Sequence, residues 1–120
     1  MIGFDLFSGA GGMSLGAQMC GIRVAVAVEA DPHAATTYMH NHPGVRMLNK
    51  DIRKIKAAGV PDHDAQPSVL FGGPPCQGFS TSNQRTRSSA NPANWLFREY
   101  LRFVRDLQPD FVVFENVKGI

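Results

Sequence analysis

Short apolar runs alternate with helix-forming segments along the chain, and most of these runs end at a glycine or an acidic residue. The pattern predicts five strands, over residues 2–7, 23–28, 45–49, 68–71 and 111–114. It predicts helices from Met13 to about Cys20, from Pro32 to about His42 and from Asn94 to Leu107. This alternation predicts an α/β fold whose mostly parallel sheet is covered by helices on both faces.

The segment from Asn94 to Leu107 has the clearest helical periodicity. Its apolar side is predicted to consist of Leu96, Phe97, Tyr100, Leu101, Val104 and Leu107. Three arginines, Arg98, Arg102 and Arg105, are predicted on the opposite side. They belong to a stretch, residues 76–105, in which five arginines outnumber one glutamate. A basic stretch of this kind either binds a polyanion or forms a solvated surface.

Composition excludes several classes of protein. The 120 residues are enough for one domain, and 43% of them are hydrophobic, which suffices for a buried core. No apolar run approaches the roughly 20 residues that span a bilayer, and no secretory signal is visible, so a cytoplasmic chain without membrane contact is expected.

Cys20 and Cys76 lack the spacing of a disulfide framework or a zinc site, so no metal is expected. Cys20 is expected to be an inert core residue.

Ligands of open parallel sheets bind beyond the carboxyl ends of the strands, near the point where strand order reverses. Those ends carry the glycine-rich segment 7–12, Glu29, Asp51, the segment 74–76 and Glu115. Each is polar, glycine-rich or reactive. The sequence therefore predicts one shared site at this edge of the sheet.

The glycine-rich turn from Phe7 to Gly12 indicates a nucleoside-containing cofactor. Glycines between a strand and a helix let the backbone approach a ligand closely, with helix N–H groups directed at it. Glu29 follows Gly9 by 20 positions, where a carboxylate can accept hydrogen bonds from ribose hydroxyls. A dinucleotide fingerprint would need a glycine at position 14, which is Ser14. The departure favours S-adenosylmethionine, and a tight turn that binds nothing is the alternative.

Three further residues at strand ends have reactive or acidic side chains. Two prolines precede Cys76 and fix the direction of its thiol, which indicates a nucleophile. Glu115 would emerge beside Cys76 if the fourth and fifth strands are neighbours, giving a nucleophile and an acid; capping the next turn is its alternative. Asp51 suits an adenine amino group, or else the N-cap of a helix over residues 52–57.

Five motifs together resemble the cytosine-5 DNA methyltransferase family. They are Asp5-Leu6-Phe7-Ser8-Gly9-Ala10-Gly11-Gly12, Glu29-Ala30-Asp31, Lys50-Asp51-Ile52, Gly73-Pro74-Pro75-Cys76-Gln77-Gly78-Phe79-Ser80 and Glu115-Asn116-Val117. They occur in the family's order and spacing over essentially all 120 residues. The resemblance implies a Rossmann-like methyltransferase fold, incomplete at about five strands.

The resemblance also implies a mechanism on DNA. Cys76 matches the thiolate that adds to carbon 6 of cytosine, and Glu115 matches the residue that hydrogen-bonds ring N3 and the amino group. The resulting enamine takes the methyl group of S-adenosylmethionine at carbon 5. A base stacked in double-stranded DNA hides carbon 6, so the target must be flipped out.

Binding residues follow from the same resemblance. Those implied for the cofactor are Phe7 near the adenine, Gly9, Ala10, Gly11 and Gly12 along the methionine moiety, Glu29 with Ala30 at the ribose, Asp51 with Ile52 at the adenine, and Pro74 between cofactor and base. Those implied for DNA are Gln77, Ser80 and Ser82 as polar contacts and Arg85 and Arg87 at phosphates.

The sequence departs from the family pattern in two respects, which bear on the implied DNA contacts and on the implied activity. Residues 91–97 lack the Asp and Arg that commonly precede the Leu-Phe pair. The later Gln-Arg-x-Arg segment, the target-recognition domain and the C-terminal cofactor motif are not in these 120 residues. Three hypotheses remain. In the first, these residues are the N-terminal catalytic part of a DNA methyltransferase, either as a fragment or as one half of a split enzyme with a second chain. In the second, they form a non-catalytic module that binds cofactor or partner, and in the third they belong to a tRNA cytosine-5 methyltransferase.

Overall fold

A five-stranded parallel sheet forms the centre of the molecule. The computed structural model describes residues 1–57, 66–75 and 95–116. Its strands are β1 (Ile2–Leu6), β2 (Arg23–Glu29), β3 (Arg46–Asn49), β4 (Ser68–Gly72) and β5 (Phe111–Phe114). Its helices are α1 (Gly12–Met19), α2 (Pro32–Asn41) and α3 (Leu96–Leu107), with a short 3-10 helix at Ile52–Lys54. The predicted α/β fold and all five predicted strands are confirmed.

The strand order is β3-β2-β1-β4-β5, and all four pairs are parallel. The chain moves outward from β1 through β2 to β3, then returns to the other side of β1 for β4 and β5. Leu6, the last residue of β1, is therefore in register with Val28 of β2 and with Gly72 of β4. This reversal of strand order leaves a crevice beyond the carboxyl ends of β1 and β4.

The core between the sheet and α3 contains most of the largest buried side chains. Phe4 and Leu6 of β1 pack there with Tyr100 and Phe103 of α3, all at most 2% exposed. Phe103 was absent from the predicted apolar side of this helix. Phe97 and Leu101, which were included, are 37% and 48% exposed. For Phe97, Leu101 and Phe103 the prediction was wrong, because the helix turns a side centred on Tyr100, Phe103 and Leu107 toward the sheet. Leu96, Tyr100, Val104 and Leu107 pack in or against this core, as predicted.

The three arginines of α3 have different surroundings. Arg98 lies over the ring of Trp95 at 3.9 Å, and Arg105 is exposed and paired with Asp106. Arg102 is half-buried, and its guanidinium donates to the backbone oxygen of Ile52 at 2.9 Å. The predicted polar side therefore also ties α3 to the 3-10 helix.

The opposite face of the sheet packs against α1. Val24, Val69 and Phe71 form this smaller core. Cys20, expected to be a core residue, is exposed. At about 3.6 residues per turn, a position six residues after the buried Ser14 points away from the sheet side of α1.

The edge strand β5 exposes four consecutive apolar residues. Phe111 and Val113 are 56% and 49% exposed, and they lie in register with the buried Val69 and Phe71 of β4. These two side chains extend the smaller core beyond α1 and are uncovered by the described part of the chain. No described helix is both long and apolar enough to cross a membrane.

Candidate active site

The turn after β1 is held in an unusual backbone conformation. Phe7, Gly9 and Gly11 all have positive φ values, of 60°, 55° and 99°. Ser8 donates its backbone N–H to the Val28 oxygen at 3.0 Å, and Gly11 donates to the Ser8 oxygen at 3.0 Å. These bonds fold the turn back over the end of β2.

Glu29 at the end of β2 is fixed through both carboxylate oxygens. Oε2 accepts from the backbone N–H of Gly9 at 2.8 Å, and Oε1 accepts from the N–H of Asp31 at 2.8 Å. Each oxygen has a second lone pair that these bonds leave available. The half-buried carboxylate is therefore orientated before any ligand arrives.

A cavity of about 450 Å³ lies beyond the carboxyl ends of the strands. Its volume falls within the range of small-molecule sites. Its walls are formed by Phe7, Val28, Glu29, Ala30, Lys50, Asp51, Ile52, Arg53, Gly73, Pro75 and Leu96. The cavity is mainly apolar, with the acidic groups of Glu29 and Asp51 on its wall.

Asp51 lies on this wall and also caps the 3-10 helix. Oδ1 accepts from the backbone N–H of Arg53 at 2.9 Å, and the Arg53 guanidinium pairs with both carboxylate oxygens. The side-chain hydrogen bonds from Arg53 lower the pKa of Asp51 to about 2. The capping alternative is confirmed, and it leaves the carboxylate ionised at the cavity.

Glu115 meets the end of β4, as expected if β4 and β5 are neighbours. Its backbone N–H donates to the Gly72 oxygen at 3.1 Å. A Cβ atom placed on Gly73 would lie only 2.6 Å from Glu115 Oε2, so a side chain at position 73 would displace the Glu115 carboxylate. The Asn116 side chain donates to the Pro74 oxygen at 3.4 Å. Glu115 thus lies beside the Gly73-Pro74-Pro75 turn.

A buried carboxylate on β1 is hydrogen-bonded to the first turn of α1, the helix that follows the glycine turn. Asp5 is 1% exposed; its Oδ2 accepts from the Ser14 hydroxyl at 2.6 Å, and its Oδ1 has no partner among the described residues. Burial is the largest cause that raises the pKa of Asp5 to about 7, and the charge of Glu29 adds to it. The Tyr38 hydroxyl lies 2.6 Å from Ser14 Oγ on the other side.

A sequence model of the family described as C-5 cytosine-specific DNA methylase matches residues 1–120. The chain belongs to this family. Methyltransferases of the family generally use S-adenosylmethionine. The family membership predicted from the five motifs is thereby confirmed.

Relatives of this methylase chain include Type II methyltransferases. It is 42% identical to M1.HphI of Haemophilus parahaemolyticus over 94% of this chain and 31% of the relative. It is 40% identical to M.AquIA of Picosynechococcus sp. over 97% of this chain and 48% of the relative. A crystal structure of a DNA modification methyltransferase encoded within an E. coli prophage matches with a TM-score of 0.81 and 37% identity, over 100% of this chain and 33% of that one. The methylase chain spans about a third to a half of these proteins.

The structure brings together part of the predicted cofactor site. Phe7, Glu29, Ala30, Asp51 and Ile52 line the cavity. The residues Gly9, Ala10, Gly11, Gly12 and Pro74 are not on its wall. The neighbouring Gly73 and Pro75 are on it.

Several wall residues were missed at the sequence level. Leu96 was assigned only to the apolar side of its helix, although its place at the start of the helix was a signal that it approaches the strand ends. Arg53 and Lys50 gave no signal beyond their adjacency to Asp51. Cys76 and the predicted DNA-binding residues Gln77, Ser80, Ser82, Arg85 and Arg87 lie outside the described residues. No group of three or more potential metal ligands occurs among residues 1–57, 66–75 and 95–116.

Proposed function

We propose that residues 1–120 are the N-terminal part of the catalytic domain of a DNA cytosine-5 methyltransferase. The proposed reaction moves a methyl group from S-adenosylmethionine to carbon 5 of cytosine in double-stranded DNA. The observation that carries this proposal is the cavity between Glu29 and Asp51, which opens beside the turn that leads into Cys76.

The residues around the cavity fit an adenosine cofactor. Phe7, Ile52 and Leu96 supply apolar surface for a purine, and Asp51 supplies an acceptor for its amino group. Glu29 has lone pairs available for two ribose hydroxyls. The charge of Asp51 is already paired with Arg53, so the proposal of S-adenosylmethionine depends on the adenosine contacts and not on attraction to its sulfonium. When bound, this cofactor supplies a methyl group that a carbon nucleophile can attack.

Cys76 and Glu115 are the proposed catalytic pair. Cytosine carbon 5 becomes nucleophilic when a thiolate adds to carbon 6, because the addition creates an enamine. Glu115 would hydrogen-bond N3 and the amino group and so stabilise the charge that develops on the ring. After methyl transfer, carbon 5 loses its proton and the Cys76 thiolate is expelled. The position of Glu115 beside Gly73, Pro74 and Pro75 supports this pairing, since Cys76 follows directly.

DNA is the proposed substrate, with the target base flipped from the helix. Gln77, Ser80 and Ser82 are proposed as polar contacts, and Arg85 and Arg87 as phosphate contacts that add salt-sensitive affinity. The choice of target sequence would depend on residues beyond these 120. Action on bacterial DNA would place the protein in the cytoplasm at the nucleoid.

We further propose that additional polypeptide completes the enzyme, either in the same chain or as a second chain. The relatives are two to three times as long as the matched region. The apolar edge of the sheet at β5 supports this proposal, because four adjacent exposed apolar residues are a surface that proteins usually cover. The same observation favours a second candidate function, in which the 120 residues alone bind cofactor without catalysing transfer.

The test is methyl transfer from radiolabelled S-adenosylmethionine to DNA or to tRNA. The 120-residue chain is assayed alone and together with the C-terminal two thirds of a relative such as M1.HphI. Label in DNA that depends on Cys76 supports the proposal, and Cys76→Ser is the matched inactive variant. Label in tRNA alone would favour the RNA substrate. Cofactor binding without transfer in either mixture would favour the binding module.

A further inference from the structure

We propose that His42 is a positioning residue for the cofactor-binding glycine turn, acting through the carbonyl group of Gly11. This inference rests on the proposed function and on the contact that the family resemblance implies between residues 9–12 of that turn and the methionine moiety of S-adenosylmethionine; of the turn, only Phe7 is on the cavity wall. His42 is not on the cavity wall and would not touch the cofactor. Its effect would be to hold the turn in the conformation that the cofactor meets.

His42 is buried between the two helices on one side of the sheet. It directly follows α2 and is 5% exposed. Its Nε2 lies 3.1 Å from the Gly11 oxygen, and because a carbonyl oxygen only accepts, Nε2 carries the donated proton. Its Nδ1 lies 3.0 Å from the side-chain oxygen of Gln18 in α1. With the proton on Nε2, Nδ1 accepts, so this bond requires the Gln18 amide to present its NH2 group to the ring. Both ring nitrogens are therefore used, and both contacts lead to α1 or its N-cap.

Gly11 is the N-cap residue of α1 and has no side chain with which to cap it. Its carbonyl oxygen accepts the first helical bond from Leu15 at 2.9 Å and the His42 bond with its second lone pair. At position 11, a Cβ atom would overlap the His42 ring and lie 2.9 Å from Tyr38 Cδ2. The buried imidazole thus leaves room only for glycine at position 11, where the backbone is left-handed.

Tyr38 and His42 are each hydrogen-bonded to the start of α1, at Ser14 and at Gly11. They are one helical turn apart, with ring centroids separated by 4.6 Å. Tyr38 bonds Ser14, which in turn bonds Asp5 of β1, whereas His42 bonds Gly11. Tyr38 fixes the body of α1 against the sheet, and His42 fixes the peptide at which the turn becomes a helix. Loss of the His42 donor should therefore loosen the turn while the helix stays in place.

The test compares three variants of the 120-residue chain. His42→Phe keeps an aromatic ring beside Tyr38 but cannot donate to Gly11. His42→Gln carries an amide N–H that reaches about as far as Nε2, so it should restore the bond. His40→Phe is the matched control, because His40 is exposed on the same helix. Circular dichroism confirms that each variant is folded before it is used.

Two measurements are made on each variant. Amide hydrogen exchange at residues 9–13, followed by NMR, reports on the turn without any cofactor. Calorimetric titration with S-adenosylmethionine reports the affinity. We expect His42→Phe to speed exchange at these amides and to weaken binding about tenfold, the effect of one lost hydrogen bond. His42→Gln should restore most of the exchange protection and most of the affinity, and His40→Phe should change neither quantity.

Several outcomes would overturn the proposal. Unchanged exchange at residues 9–13 in His42→Phe would show that the turn does not depend on the bond. Faster exchange with unchanged affinity would show that the bond does not serve the cofactor. Equal losses in the Phe and Gln variants would indicate packing alone. If the parent chain binds S-adenosylmethionine neither alone nor together with the complementing C-terminal polypeptide, the proposed function fails, and the exchange arm still decides whether His42 holds the turn.

A milder variant covers the case in which His42→Phe does not fold. Gln18 is exposed, and Gln18→Met removes the partner of His42 Nδ1 while leaving the imidazole in place. A smaller increase in exchange at residues 9–13 is expected. No change would contradict a hydrogen-bonded role for the ring.

Discussion

The backbone N–H of Gly9 donates a 2.8 Å hydrogen bond to Oε2 of Glu29, twenty residues further along the chain. This bond joins the glycine turn after β1 to the carboxylate at the end of β2. It fixes the Glu29 side chain at the mouth of the cavity, so the carboxylate loses little further freedom when a ligand binds.

Glu29→Ala should weaken S-adenosylmethionine binding by about ten- to a hundredfold. The substitution removes charged hydrogen bonds, each of which contributes about 1.5–3 kcal/mol, and releases Gly9. Calorimetric titration measures the change, with Asp106→Ala as the control because Asp106 pairs with Arg105 on the surface. Equal affinities for Glu29→Ala and the parent chain would rule out the ribose role.

The free energy of unfolding should fall as pH rises from about 4 to 7 because of Asp5. Its pKa is raised from 3.8 to about 7 in the fold, so the folded state binds the proton more tightly than the unfolded state in that interval. The contribution is on the order of a few kcal/mol. Urea titrations at several pH values should show this slope, and Asp5→Asn should flatten it. A slope that persists in Asp5→Asn would contradict the assignment.

Arg53→Ala should raise the pKa of Asp51 from about 2 toward 3.8. The largest cause of the lowered pKa is the hydrogen bond from the Arg53 side chain, which this substitution removes. The stability that the pair contributes is present above pH 4 and is lost as pH falls through about 2. Carboxyl carbon shifts in NMR spectra follow the titration, with Lys56→Ala as the control, because Lys56 is exposed and is not among the causes of the lowered Asp51 pKa. A pKa for Asp51 that stays near 2 would show that backbone capping alone is responsible.

Phe103→Ala should lower the free energy of unfolding by about 3–5 kcal/mol, since Phe103 is 0% exposed. Leu101→Ala, two residues earlier and 48% exposed, should cost less than about 1 kcal/mol. Urea denaturation of the two variants makes the comparison. A larger loss for Leu101→Ala than for Phe103→Ala would mean that α3 packs as its periodicity alone suggested.

Local pattern was enough to predict the strands, because each is a short apolar run that ends in a glycine or a polar residue. It was not enough to orient α3, where Phe97, Leu101 and Phe103 all lie within the broad apolar arc. Which of them is buried depends on how the helix rests on β1 and β4. The contact with β1 joins residues roughly a hundred positions apart in the chain, and the contact of Tyr100 with Leu70 of β4 joins residues 30 apart, which periodicity does not encode.

The candidate site was predictable to the extent that it depends on strand ends. Glu29 is the last residue of β2, and Asp51 comes two residues after the end of β3, so the parallel sheet brings them to one edge. The capping bond between Arg53 and Asp51 follows from local sequence, and Asp51 was accordingly interpreted in two ways. His42 was not singled out, because its partner Gly11 is 31 residues away and neither residue signals the other.

Covalent trapping at Cys76 is the most direct test of the central proposal. The chain, alone and with the complementing C-terminal polypeptide, is incubated with S-adenosylmethionine and DNA that contains 5-fluorocytosine, from which fluorine cannot leave as a proton does. The account predicts a methylated DNA adduct that peptide mass spectrometry locates at Cys76, in at least one of the two mixtures. Absence of an adduct from both mixtures, or an adduct on another residue, would contradict it.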